Sequence, residues 1–220
     1  MNDATLVKVY LYTRFERFWH WLQSLLIGIL LLTGLEVHGT YTLLGYRRAV
    51  EWHNAIGITW LVLFVFIVFW LLTTGQWKHY IPTTKKLFEV LRYYSSGIFR
   101  GEPHPVPKRP DAKHNPLQRL AYLGLAAVLL PIQMATGLLY WGYNDWKAWG
   151  VGFLGLGPVA VLHTLVAFAV LAFVVGHVYM TTTGHTLTSH IAAMFTGWEE
   201  VQEGEAGDWE KKKRDATQPL

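Results

Sequence analysis

The sequence predicts an all-α membrane protein, a bundle of four transmembrane helices with both termini cytoplasmic, and three observations predict it. Four apolar runs, about 18–35, 52–73, 120–141 and 159–181, approach or exceed the ~20 residues that cross a bilayer at 1.5 Å rise each. Hydrophobic residues make up 52% of the 220 and charged residues only 15%, so the chain has no room for a second large domain. Finally, Lys78, Lys85, Lys86, Arg92, Arg100, Lys108, Arg109, Lys113 and Arg119 accumulate between the second and third runs, and Lys211, Lys212, Lys213 and Arg214 near the C-terminus. The other two connections hold only Arg47, Arg48 and Lys147, so the positive-inside rule assigns the middle loop and both termini to the cytoplasm.

The expected organisation is therefore a cytoplasmic segment 1–17, a membrane domain 18–198 with a cytoplasmic loop 74–119, and a charged cytoplasmic tail 199–220. No small-residue cleavage site follows the first run, which reads as a retained span and not a signal peptide. Within the loop, Leu87, Val90, Leu91, Tyr94 and Ile98 recur at helical spacing with Lys86, Glu89 and Arg92 between them, predicting an amphipathic helix over 85–99 that lies in the interface or packs on a partner. Pro103, Pro105, Pro107, Pro110 and Pro116 then favour an extended, polyproline-like crossing. The tail from Glu199 is expected to be mobile unless a partner holds it. In the third run, Pro131 and Gln133 predict a kink and an interhelical contact. Thr33-Gly34-Leu35 and Thr136-Gly137-Leu138 echo one another, but two short matches do not make a repeat.

Composition excludes several functions. Without cysteine the chain holds no disulfide, no thiolate-ligated iron–sulfur cluster and no covalently attached c-type haem. The formal charge of +4 comes from loop residues beside apolar spans, which membrane orientation explains; no basic patch suits nucleic acid.

Four histidines carry the chemistry. Of Asp, Glu, Lys, Arg and His, the four runs contain only His20, His53, His163 and His177. Ionisable groups in hydrocarbon are expensive and usually functional, and a proton relay would mix histidine with carboxylates. Two b-type haems, each held by two axial imidazoles, account for all four. His163 and His177 lie fourteen residues apart on one helix, within roughly 40° of the same face and about 21 Å apart along the axis, so they share a face but not a metal. Depth pairs His20 with His177 at the inner side and His53 with His163 at the outer side. Gly57, one turn beyond His53, lets a porphyrin approach the backbone. Each ligand's second ring nitrogen is expected to donate to a carbonyl or a hydroxyl. His38 is the one rival to His53. Solvated side chains are the expectation for His38, His79, His104, His114, His185 and His190, and an aromatic belt explains the Trp residues near span ends.

Arg17-Phe18-Trp19-His20-Trp21, His53 at the start of the second run and the His163-to-His177 spacing resemble the di-haem cytochrome b subunits of respiratory formate dehydrogenases, nickel–iron hydrogenases and thiosulfate reductases, prokaryotic cytochromes of b561 type. The resemblance implies a four-helix bundle with the same ligand pairing and quinone exchange, with menaquinone or ubiquinone, near the inner haem. Lys113-His114-Asn115-Pro116-Leu117-Gln118-Arg119 resembles the Lys-Tyr-Asn-x-Gly-Gln-Lys stretch that borders that quinone site, with His114 replacing the tyrosine and Leu117 the glycine. Asn115 and Gln118 are thereby candidates for the quinone oxygens, or else caps at the start of the helix. Arg14 and Arg17 are candidates for the inner haem propionates, although positive-inside placement also explains them.

Electrons would then pass between a periplasmic or membrane-bound catalytic, iron–sulfur or multihaem partner and a quinone, in the inner membrane of a bacterial or archaeal cell. In this reading the chain is an electron-transfer subunit of a quinone-linked oxidoreductase complex. Two other readings are a stand-alone b561-type quinol-dependent reductase, of superoxide or metal, and a haem-free membrane anchor or small transporter.

Overall fold

Four helices of 24 to 29 residues, each apolar enough to cross a membrane, dominate the computed structural model, which describes residues 6–102, 104–106, 113–184 and 186–202. They are α1 (Arg14–Val37), α2 (Tyr46–Thr74), α4 (Pro116–Trp141) and α5 (Leu156–Thr181). Between α2 and α4 lies a short helix, α3 (Leu87–Arg92), and after α5 comes α6 (Ser189–Thr196). At 1.5 Å per residue each long helix exceeds the roughly 30 Å hydrocarbon thickness.

All four begin ahead of the apolar runs, and at α1 and α4 polar side chains satisfy free N–H groups of the helix start. At α1, Thr13 Oγ1 accepts from the Glu16 N–H at 3.3 Å while Glu16 Oε2 accepts from the Thr13 N–H at 2.8 Å, a reciprocal capping box. At α4, the Asn115 N–H donates to Gln118 Oε1 at 3.0 Å and the Gln118 N–H to Asn115 Oδ1 at 2.9 Å, the same arrangement. Ahead of α2, which has no side-chain cap, the buried Glu36 holds the incoming turn: its Oε1 accepts from the N–H groups of Leu43, Leu44 and Gly45 at 2.8, 2.7 and 2.8 Å. Gly45, at φ 83°, supplies the left-handed turn into the helix. The first two turns of α2 therefore sit outside the apolar run that begins at Trp52.

The chain forms two compact units. One comprises Phe18–Gln76 and Gly124–His177. Its core is Leu26, Trp60, Leu130, Met134, Val166 and Val170, drawn from all four long helices. Leu25, Leu32, Val62, Val65, Phe69, Leu72, Val161, Leu165 and Val175 are exposed, an apolar exterior that suits lipid. In α4 the backbone widens into a π-type turn over Leu125–Leu129, just ahead of Pro131, whose missing N–H cannot join a regular ladder.

The other unit is formed by the described residues of Met1–Arg17, Trp77–Leu123 and Val178–Leu220. It contains an antiparallel pair that the sequence reading lacks: β1 (Leu6–Tyr10) against β2 (Trp198–Gln202), with Tyr10 opposite Trp198 and Leu6 opposite Gln202. Residues 199–202 thus belong to a strand and not to a mobile tail. Val9 and Leu11 are buried and the Tyr10 and Trp198 rings meet edge-on at 5.3 Å, so apolar burial compensates for a run of only five residues. The predicted amphipathic segment 85–99 is helical from Leu87 to Arg100 but changes pitch, through a π-type turn at Tyr93–Gly97 and a 3₁₀ turn at Ile98–Arg100. Val90 is buried there, whereas Leu91 points outward. Most of the proline-rich crossing and the tail beyond 202 lie outside the described residues.

Candidate cofactor site

The four span histidines come together in two pairs. His20 on α1 and His177 on α5 have ring centres 6.0 Å apart with planes at 50°; His53 on α2 and His163 on α5 are 6.3 Å apart at 82°. A metal–imidazole bond of about 2 Å, plus about 1.1 Å from nitrogen to ring centre, separates two trans imidazole centres by roughly 6 Å. Both spacings fit one iron between each pair, with a haem's porphyrin supplying the remaining ligands. Fourteen residues of α5 keep the two pairs about 21 Å apart along its axis.

Local bonding at the His53–His163 pair defines the tautomers. Thr33 Oγ1 donates its one proton to the Ile29 carbonyl at 2.8 Å, so at 3.0 Å from His53 Nδ1 it can only accept. Thr136 Oγ1 donates to the Ile132 carbonyl at 2.7 Å and accepts from His163 Nδ1 at 3.0 Å. Nδ1 therefore carries the proton in both rings, and Nε2 keeps the lone pair a metal needs. The Gln133 side-chain amide donates to His163 Nε2 at 3.1 Å, the interhelical contact expected of it, and would have to release that nitrogen for it to hold a metal.

A cavity of about 710 Å³ surrounds this pair, within the range of small-molecule sites, and Gly34, Gly57 and Gly137 line it. His38 also lines it, with its ring edge-on to Phe168 at 6.0 Å. At the other pair, Phe173 stacks on His177 at 5.9 Å, Ser24 Oγ donates to the His20 carbonyl at 2.8 Å, and His20 Nδ1 is buried with no hydrogen-bond partner among the described residues.

The remaining candidates lie in the unit that holds both termini. Asn115 and Gln118 form the α4 cap, and the Asn115 amide also donates to the Tyr94 hydroxyl at 3.1 Å. Arg14 is exposed, and the Arg17 guanidinium donates to the Phe195 carbonyl. Lys113 pairs with Glu16 at 2.7 Å with little exposure. His114, expected to be solvated, is instead enclosed by the Tyr80 and Tyr122 rings at 5.3 and 5.1 Å, and its Nδ1 is buried with no hydrogen-bond partner among the described residues. His190, likewise expected to be solvated, meets the buried Glu199 at 2.6 Å.

Burial first, and the Lys113, His79 and Arg119 charges next, push the His114 pKa down to about 4, so it is neutral at pH 7. The unfolded chain binds a proton near pH 6.5 that the folded one refuses, so His114 withdraws stability as pH falls from about 6.5 and the loss levels off below about 4. Thermal unfolding of His114→Gln is expected to lose less stability than the parent between pH 7 and 4.5; equal slopes would refute a neutral buried His114.

Residues 11–197 match the family model described as prokaryotic cytochrome b561, and the chain belongs to that family. It is a b-type cytochrome and a multi-pass protein of the inner membrane. It is 34% identical over 199 residues to "Putative cytochrome YdhU" of Escherichia coli (strain K12), covering 87% of this chain and 74% of that one. It is also similar to the "Probable Ni/Fe-hydrogenase 1 B-type cytochrome subunit" of the same organism, at 24% identity with 81% and 84% covered. The "Probable Ni/Fe-hydrogenase B-type cytochrome subunit" of Rhodobacter capsulatus is 25% identical, with 78% and 72% covered.

Thr33, Thr136 and their neighbouring glycines are the site residues that sequence reasoning passed over. The repeated Thr-Gly-Leu was the available signal, but only coordinates align each copy with a histidine on the next helix.

Proposed function

We propose that this chain is the membrane-anchoring, di-haem cytochrome b subunit of a respiratory oxidoreductase complex, passing electrons between a partner subunit and the quinone pool. The observation that carries the reading is the two imidazole pairs, each about 6 Å between ring centres, at opposite ends of the apolar part of α5. His20 with His177 and His53 with His163 would hold two b haems; each supplies reversible one-electron iron chemistry when bound. The chain's own groups orient the imidazoles, keep Nε2 deprotonated at the His53–His163 pair and enclose both pairs in apolar helices that exclude water.

The distribution of Lys and Arg supports cytoplasmic termini, with the His20–His177 pair toward the cytoplasm and the His53–His163 pair toward the outside. Two of the relatives are named as hydrogenase cytochrome subunits, which supports a catalytic partner for this chain as well. Asn115 and Gln118 are the proposed quinone contacts, and Arg14 and Arg17 the proposed propionate partners.

The purified chain is expected to carry two non-covalent haems, both extracted by acidic acetone and both giving b-type reduced-minus-oxidised bands. No haem, one haem per chain or a covalent haem would overturn the di-haem reading.

A further inference from the structure

Thr33-Gly34 and Thr136-Gly137 occupy corresponding positions around one histidine pair. Thr33 on α1 accepts from His53 on α2, and Thr136 on α4 accepts from His163 on α5, both at 3.0 Å. Both threonines are buried, and each spends its proton on the carbonyl four residues back on its own helix. One residue further on, a Cβ at Gly34 would lie 3.2 Å from His53 Cε1, and a Cβ at Gly137 would lie 3.2 Å from His163 Cε1. A methyl at either position would press on the ring, which would have to give by a few tenths of an ångström. His20, in the other pair, has a buried Nδ1 with no hydrogen-bond partner among the described residues, so that ring lacks the contact the threonines make here.

We propose that the two Thr-Gly pairs are a duplicated clamp that fixes the tautomer and ring position of both axial imidazoles of one haem, and so sets its reduction potential apart from that of the other. This rests on His53 and His163 being axial ligands. The threonines are positioning residues. Accepting from Nδ1–H makes an imidazole a stronger donor to iron, which stabilises the oxidised metal and lowers its potential. The β-branched threonine restricts the directions the hydroxyl can take, and the missing glycine side chain leaves the ring its seat.

The test compares Thr33→Val and Thr136→Val with Thr33→Ser and Thr136→Ser in the full chain. Thr59→Val serves as the control, since Thr59 Oγ1 also donates to the carbonyl four residues back, at 2.9 Å. The readouts are haem content, the two midpoint potentials from redox titration, and the ferric low-spin resonance spectrum. Both valine variants are expected to raise the potential of one haem, the same one in each, and to leave the other at its parental value. Serine restores the parental value and Thr59→Val changes neither. Gly34→Ala and Gly137→Ala are expected to displace or lose that same haem. The clamp is overturned if the valine variants keep both potentials and both spectra, shift both haems alike, or act on different haems. His53→Ala and His163→Ala separate the two levels of the argument. If those variants keep two haems, the ligand reading itself fails and the clamp with it; if they lose one haem while Thr→Val changes nothing, the clamp alone fails.

Discussion

His163→Ala is expected to lose one haem and His177→Ala the other, each variant falling from two haems per chain to one. A low-spin iron with two axial imidazoles cannot keep its environment when one is removed, and α5 supplies one imidazole to each pair. Changing His53 is expected to reproduce the loss seen with His163, and changing His20 the loss seen with His177. The losses should be separable, because sites more than about 10 Å apart usually behave additively and the two pairs are about 21 Å apart along α5. Leu26, Trp60, Leu130, Met134, Val166 and Val170 form the packed core of the bundle and are untouched by any of these changes. Haem content and difference spectra of the four variants provide the measurement. If all four lose both haems, the pairs are not independent sites; if His38→Ala removes a haem while His53→Ala does not, the ligand on the second span is His38.

The functional consequences should also differ. With His163 changed, quinol is expected still to reduce the remaining haem, while electrons no longer reach the partner subunit. With His177 changed, reduction by quinol itself is expected to fail. The reverse pattern would exchange the quinone and partner ends of the bundle.

The helices, and which histidine rings lie near one another, were legible in the sequence for one physical reason. Hydrocarbon tolerates so few ionisable groups that four histidines at two depths stand out against the apolar runs around them. Helix ends were less legible, because caps are built from polar residues outside the apolar pattern; Glu36 reaches the N–H groups of Leu43, Leu44 and Gly45 across a turn that no periodicity marks. The β1–β2 pair was not legible, since five-residue strands with Glu199 and Glu200 in one of them carry no clear alternation and their partners are nearly two hundred residues apart. His114 read as solvated because its enclosure comes from Tyr80 and Tyr122, tyrosines distant in sequence or on the next helix. Thr33 and Thr136 were visible as an echo, but their meaning lies in histidines on other helices.

Asn115→Asp combined with Gln118→Glu is expected to leave the α4 cap in place and to slow quinol-linked turnover about tenfold, a change of about 1.4 kcal/mol. The geometry gives both residues a structural task, since each side-chain oxygen accepts from the other's backbone N–H. An alanine pair would remove that cap, at a cost of about 1 kcal/mol, together with any quinone contact, and so could not separate the two roles. Aspartate caps a helix as well as asparagine, and glutamate closes the box as well as glutamine. The exchange removes the amide N–H donors, which are what a quinone oxygen would use, and puts a carboxylate at each position. The Tyr94 hydroxyl, which accepts from the Asn115 amide at 3.1 Å, can turn and donate to the new carboxylate, so the buried position keeps a partner. Haem content, both difference spectra and the thermal midpoint are expected to stay near parental values while quinol kinetics fall. Parental quinol kinetics in the Asp/Glu variant, with loss confined to an Ala/Ala variant that is also less stable, would reduce Asn115 and Gln118 to a helix cap and move the quinone elsewhere.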